Sequence, residues 1–284
     1  MLQRGYLEIL EATDDPALRF KTLQAFLHMM ADNFTSKSVP ADVGTMREQL
    51  IKKITGNLDP FAEKKRMSNQ EALKLLFFAE KLVITEHEAE KRFRKACLVA
   101  IVGNIIEFNI PGHEFKFDDI ARLIQESEKD LVVDDISEAY NIAQKANLII
   151  YLTDNAGEIA FDTLLVKELR NIAKDGHVVV AVKGKSFYND ATLEDALLVG
   201  MDKEADMLIT MGDGAMGLLP SQCSEEFLSL YDKADFVVAK GMGYAETLTE
   251  FDLKVLHLLL LRTKCMNIAN YFHVPREKNI AKLI

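Results

Sequence analysis

The chain has 284 residues, enough for one large or two smaller domains, and its 49% hydrophobic and 27% charged residues exclude wholesale disorder. A net charge of −10 disfavours a general binder of nucleic acid or of an anionic membrane, because such affinity rests on Lys and Arg. No apolar run approaches the ~20 residues that span a bilayer; the densest, 255–261, carries His257 and ends at Arg262.

Residues 1 to about 125 read as helices, being sparse in Val, Ile and Thr and rich in Leu, Ala, Met, Glu and Lys. Asp15-Pro16 starts a segment in which Leu18, Phe20, Leu23, Phe26, Leu27 and Met30 fall near helical spacing. A polar stretch from Asn33 to Pro40 separates it from the next helix, and a second loop runs from Thr55 to Pro60. Ser68 is expected to cap a helix through Leu82, and Glu88 to Phe108 continues helical until the Asn109-Ile-Pro-Gly112 break.

From about Leu131 short β-rich runs alternate with helical patterns. The runs are 148–152, 178–182, 207–211, 236–239 and Leu258 to Thr263. Continuous apolar runs of this length suit strands buried on both faces, and the intervening helices imply βαβ units and a mostly parallel sheet. The expected organisation is a helical domain over 1–125 and an α/β domain over 126–284.

Ligands of open α/β sheets bind beyond the carboxyl ends of the strands, so the residues that follow each strand matter most. The first run is followed by Thr153-Asp154-Asn155-Ala156-Gly157-Glu158 and the second by Lys183, then Asn189-Asp190-Ala-Thr192. The third is followed by Gly212-Asp-Gly-Ala-Met-Gly217 and the fourth by Lys240-Gly241-Met-Gly243. Carboxylate and amide oxygens suit Mg²⁺ or Mn²⁺. Glycines let a phosphate approach backbone N–H groups at a helix start, and lysines offset its charge. Each piece also has a plain structural role: Asn155 with Glu158, and Thr192 with Asp195, match capping boxes.

Other chemistries are poorly supplied. Gly212-x-Gly214-x-x-Gly217 matches a dinucleotide fingerprint, but Pro220 interrupts the helix that should follow, and Leu218 stands where a Walker loop needs Lys. The six histidines form no HExxH pair, and His28 and His257 lie in apolar surroundings that suggest structural roles. Cys97, Cys223 and Cys265 are odd in number and widely separated, without a CxxC pair. Together with a start that lacks the n-region and h-region of a signal peptide, they suggest a reducing, cytoplasmic home.

Read in order, these motifs resemble the DUF-eighty-nine family of metal-dependent damage-control phosphatases, in its small microbial branch. The matching residues are Asp154-Asn-Ala-Gly-Glu158, Asn189-Asp190-Ala-Thr192, Lys240-Gly241-x-Gly243 with Glu246, and Lys264-Cys265. Leu58-Asp59-Pro60-Phe61 with Lys64 or Lys65, and Gly103-Asn104-Ile-Ile-Glu107-Phe108, match the family's helical half. Three features depart from the family pattern: no Cys-x-x-Cys precedes the first helix, Tyr244 replaces Asn, and Glu107 replaces Asp.

The resemblance implies a helical N-terminal domain on a Rossmann-like, three-layer α/β domain. It implies a divalent metal (Mn²⁺, Co²⁺, Ni²⁺ or Mg²⁺) held by Asp154, Asn155 and Asp190, and hydrolysis of phosphomonoesters of small metabolites such as sugar phosphates. Lys240 is expected to contact the phosphate, with Lys183 supporting it. Gly157 and Gly241 provide the glycine approaches, and Asn104 reaches in from the helical half. Glu158 is a candidate for orienting water or a ligand. The expected partner is a small phosphorylated metabolite rather than nucleic acid or membrane, with the oligomeric state left open. Two rival readings use the same residues differently: a non-catalytic phosphometabolite-binding protein, and a nucleotide-cofactor oxidoreductase built on Gly212 to Gly217.

Overall fold

The computed structural model describes residues 1–104, 117–250 and 252–284. Helices α1 (Leu2–Ala12), α2 (Pro16–Asn33), α3 (Pro40–Thr55), α4 (Ala62–Ile84), α5 (Ala89–Gly103) and α6 (Phe117–Lys129) come first. The α/β part follows as β1 (Leu131–Asp134), α7 (Ile136–Ala143), β2 (Leu148–Leu152), α8 (Glu158–Ile172), β3 (His177–Val182), α9 (Leu193–Leu198), α10 (Met201–Glu204) and β4 (Met207–Thr210). It ends with α11 (Glu225–Tyr231), β5 (Phe236–Lys240), α12 (Gly241–Leu248), β6 (His257–Arg262), α13 (Met266–Tyr271) and β7 (Asn279–Leu283).

Local signals explain several boundaries. The Asp15 carboxylate accepts from the N–H groups of Ala17 and Leu18, with Pro16 at the first helical position. Gly56 ends α3 in the left-handed conformation. One expectation fails: α4 begins at Ala62, so Ser68 lies buried inside the helix rather than capping it. The charged run 63–66 forms the first turns of α4, started by the Asp59 carboxylate accepting from Phe61 N–H. His28 is exposed, contrary to expectation. Residues 105–112, including the expected helix end and Glu107, lie outside the described residues.

The seven strands run in the order β1-β7-β6-β5-β2-β3-β4, with every pair parallel except β6–β7. Their side chains alternate between faces. Ile149, Tyr151, Val178, Val180, Val238 and Leu258 join one apolar cluster with α4, α5 and α8. Ile150, Leu152, Val179, Val237 and Leu259 join a second with α11, α12 and α13. This is the α/β, mostly parallel, three-layer fold expected. Helix α8 is packed between the sheet and helices α4 and α5, which explains why Phe161, Leu165, Val166 and Leu169 are fully buried. Helices α1 to α3 close around a smaller cluster of Ile9, Phe26, Met30, Val43 and Ile51. The chain proceeds outward from β2 to β3 and β4, then returns to β5 on the other side of β2. The β2/β5 boundary is therefore the switch point where such sheets open a crevice. No helix among the described residues is long and apolar enough to cross a membrane.

Candidate active site at the β2/β5 switch point

Two loops are stitched together just past the sheet. The Asp154 carbonyl accepts from Ala191 N–H at 2.7 Å, and Ala156 N–H donates to the Asn189 carbonyl at 2.8 Å. Asn155 and Asp190 thereby form an antiparallel bridge. Backbone bonds thus bring together Asp154, Asn155 and Asp190, from the ends of β2 and β3.

Side chains from the helical layer complete the cluster. Asn104, at the C-terminal end of α5, donates to Asp154 Oδ2 at 3.1 Å and to Glu158 Oε2 at 2.7 Å. Asn155 donates to the same two oxygens at 2.8 and 2.9 Å. The capping reading of Asn155 with Glu158 is therefore not the one adopted: α8 starts at Glu158, after Gly157, and Asn155 Nδ2 bonds to carboxylates instead. The Thr192–Asp195 pair is a true cap, its carboxylate accepting from Thr192 N–H and hydroxyl at 2.9 and 2.7 Å.

The cleft above them holds about 250 Å³ and is lined by Asn104, Asp154, Asn155, Asp190, Arg4, Tyr188, Met216, Glu246 and Lys264, among others. Several expected residues lie behind this wall. Lys240 is fully buried and donates to Glu158 Oε1 (2.6 Å), Asp162 Oδ1 (2.7 Å) and the Ala100 carbonyl (2.9 Å). All three donors of its ammonium are spent on these acceptors, and Lys240 is not among the residues that line the cleft. Lys183 donates to the Gly217 carbonyl at 2.6 Å and lies 3.6 Å from Asp190. Gly157 N–H is taken by Asn69 Oδ1 at 2.6 Å. Gly241, with φ +81°, serves a different purpose: a Cβ there would sit 1.9 Å from Asp154 Oδ2, so only glycine leaves that carboxylate its place.

Sequence reasoning assigned no role to Asp162, Asn69, Arg4, Arg47 or Tyr188. Lys65, not Lys64, is the buried lysine of the 58–65 motif, pairing Asp59 at 2.8 Å and Asp195 at 3.3 Å. Lys64 pairs Glu11 near the surface. Tyr244 lies in the core beneath Lys183, whose Nζ is 5.0 Å from the ring centroid. Gly212 bridges Cys223, and a short 3-10 turn at Pro220 follows instead of a helix, so the dinucleotide fingerprint lacks its structural context.

Burial governs the charges. It drives the Asp154 carboxyl well above the usual range, and neighbouring Glu158 and Asp190 push the same way. Burial raises Asp190 to about 7 against the pull of Lys183. Burial also acts upward on Glu158, but Lys240 and the two amides outweigh it and leave Glu158 below its ordinary value. Two carboxyl groups crowded at one wall of the cleft, Asp154 and Asp190, suit a hard cation. No group of three His, Cys, Asp or Glu side chains poised for a metal occurs among the described residues. The candidate set is instead two Asp and one Asn, an oxygen set that Mg²⁺ or Mn²⁺ can share with water. Asp154 and Asp190 both line the cleft, and the Asn155 amide is oriented by its two carboxylate partners, so these residues fit such an ion.

The fold and site together define an α/β protein with a cluster of acids and amides at the switch point of its sheet. The family model for the damage-control phosphatase ARMT1-like domain matches residues 1–280, and the chain belongs to that family. It is 34% identical to a damage-control phosphatase of Archaeoglobus fulgidus, covering 100% of this chain and 96% of that one. It is 32% identical to a damage-control phosphatase of Pyrococcus horikoshii, covering 93% and 88%. The crystal structure of a DUF-eighty-nine family protein from Pyrococcus horikoshii superposes with a TM-score of 0.86 at 29% identity, over 99% of this chain and 94% of that one.

Proposed function

We propose that this chain is a cytoplasmic, divalent-metal-dependent phosphatase hydrolysing phosphomonoesters of small metabolites, such as sugar phosphates or damaged phosphometabolites. The supporting observation is the backbone-stitched trio Asp154, Asn155 and Asp190 facing a cleft that also carries Lys264. The trio would hold Mg²⁺, Mn²⁺, Co²⁺ or Ni²⁺, which when bound polarises phosphoryl oxygens and lowers the pKa of water. Lys264, anchored to the Asn104 carbonyl at 2.5 Å, offsets phosphate charge at the Asp154 end. Asn104 and Asn155 hold Glu158 and Asp154 in one orientation. Glu158, kept ionised by Lys240, orients the cluster from behind. Phosphoryl transfer rests mostly on such positioning and electrostatics.

The test is phosphate release from a panel of sugar phosphates and p-nitrophenyl phosphate. The protein is stripped with EDTA and supplied with one metal at a time, with Asp154→Ala as control. Release restored by metal and lost in the variant is the expected result. The variant should melt no lower than the metal-free parent, because it removes a buried, crowded carboxyl. Phosphate-ester binding without turnover under any metal would instead identify a non-catalytic binding protein.

A further inference from the structure

A phosphomonoester brings two negative charges into the cleft, yet most cations around it are already committed. Lys240 is spent on Glu158 and Asp162, and Lys183 on the Gly217 carbonyl and Asp190. Arg47 lines the cleft but gives its Nε to Glu8 at 2.7 Å, with both side chains buried. Lys264 stands at the Asp154 end. Arg4, exposed on the first turn of α1, is different: it lines the cleft and joins no ion pair among the described residues.

Its guanidinium lies 4.3 Å from the centroid of the Tyr188 ring. That ring is a built platform. Tyr188 has φ +47°, a conformation a bulky side chain adopts only when its surroundings impose it. Both oxygens of the Glu48 carboxylate accept from Tyr188 N–H, at 2.8 and 2.9 Å, and the Phe61 ring packs 4.4 Å away. Glu48 is itself buried and paired with Lys52. Helix α3 and the start of α4 thus fix the residue that immediately precedes Asn189 and Asp190. Arg4 lines the same cleft as Asp190, Glu246 and Lys264.

We propose that Arg4 is a substrate-binding residue that grips the phosphoryl oxygens of a phosphomonoester, with Tyr188 as the positioning residue that holds its guanidinium over the Asp190 end of the cleft. A planar guanidinium suits two oxygens of one phosphate, and stacking on an aromatic face orients the fork before substrate arrives. This assignment rests on the phosphatase reading for its substrate but not for its ligand chemistry.

The experiment compares the wild-type protein with Arg4→Ala, Arg4→Lys, Tyr188→Ala, Tyr188→Phe and the double variant R4A/Y188A. It measures KM and kcat with an active phosphomonoester and, separately, the calorimetric Kd of inorganic phosphate with Mg²⁺ present. Arg4→Ala should raise KM and the phosphate Kd by about tenfold or more, with an unchanged melting temperature, and Arg4→Lys should restore part of the loss. Tyr188→Phe keeps the ring face and should behave as wild type. Tyr188→Ala should reproduce the loss, and the double variant should be no worse than Arg4→Ala, whereas a merely structural role for Tyr188 would add to it. KM and Kd within twofold of wild type in Arg4→Ala overturn the proposal, as does the absence of phosphate binding to the wild type. If no ester is turned over but phosphate binding depends on Arg4, the phosphatase reading fails and this assignment stands.

Discussion

Lys240→Met tests the reassignment of the most conspicuous lysine in the sequence. The ammonium is 0% exposed, and its two carboxylate partners are 0% and 1% exposed. Removing it leaves Glu158 and Asp162 facing each other across an apolar side chain. Breaking a buried pair by deleting one partner costs roughly 3–5 kcal/mol, which in a chain of this size lowers Tm by on the order of 10 °C. The loss should depend on pH. Without Lys240 the folded protein binds the carboxyl protons more tightly than the unfolded chain does. The variant is therefore weakest near pH 8 and recovers as pH falls toward the ordinary carboxylate range, by at most about 1.4 kcal/mol per unit for each carboxyl. Asp162 is already raised to about 6 by burial with Lys240 in place, so it takes up its proton first. Thermal melts followed by circular dichroism at pH 8 and pH 5.5 measure both effects, and the double variant K240M/D162L should recover part of the loss. A cleft-facing lysine would behave otherwise: Lys240→Met would raise KM and leave the melting temperature untouched at both pH values. That result would refute the argument that this lysine is a buried counter-charge.

Gly241→Ala should abolish most turnover with a smaller effect on stability. The methyl group forces Asp154 to retreat by roughly 1.1 Å, from 1.9 Å to at least 3.0 Å, and a displacement of about 1 Å can cost ~10²-fold in rate. The φ of +81° adds roughly 1–2 kcal/mol of backbone strain, and activity within threefold of wild type would contradict the geometry. His257 is held at about 4 by burial, with Tyr231 OH on one ring nitrogen and the Val255 carbonyl on the other. Because the unfolded chain takes up this proton first, stability should fall by up to about 3 kcal/mol as pH drops from 6.5 toward 4. The fall should be smaller in His257→Asn, and identical pH–Tm curves for the two proteins would exclude this role.

Strands β2, β3, β5 and β6 were legible because each is an apolar run buried on both faces, and β2, β3 and β5 fall where Leu148, Val178 and Phe236 begin those runs; β4 was legible as an apolar run although it is only half-buried at the sheet edge. Strand β1, at one edge of the sheet, and its neighbour β7 were not distinguished. Leu131–Asp134 alternates half-buried with exposed residues, and Asn279–Leu283 carries a lysine, so neither forms a continuous apolar run. The start of α4 was misplaced for a related reason: a solvated first turn of Glu63, Lys64 and Arg66 reads like a loop, and the initiating contact is the Asp59 carboxylate rather than a residue next to the apolar stretch. The acids and amides of the cleft were visible as strand-end residues because the sheet's geometry fixes where such residues converge.

What spacing could not supply was the direction of each lysine. A lysine at the end of a parallel strand has two physically distinct uses, to meet a ligand's charge or to cancel the charge of neighbouring acids, and the sequence pattern is the same for both. Burial decides between them. Lys240 ends a fully buried strand and lies against α8, whose inner face carries Glu158 and Asp162 one turn apart, so its ammonium is consumed before it reaches solvent. Lys264 follows β6 by two residues, where the chain has already left the sheet, and its ammonium is exposed at the cleft. The acids at i and i+4 on α8 were the available signal: a carboxylate pair on a helix face with no basic residue of its own needs a cation from the strand beside it. Read that way, Glu158, Asp162 and Lys240 form one buried unit that fixes α8 against β5, and through Asn104 and Asn155 that unit determines where the Asp154 carboxylate points.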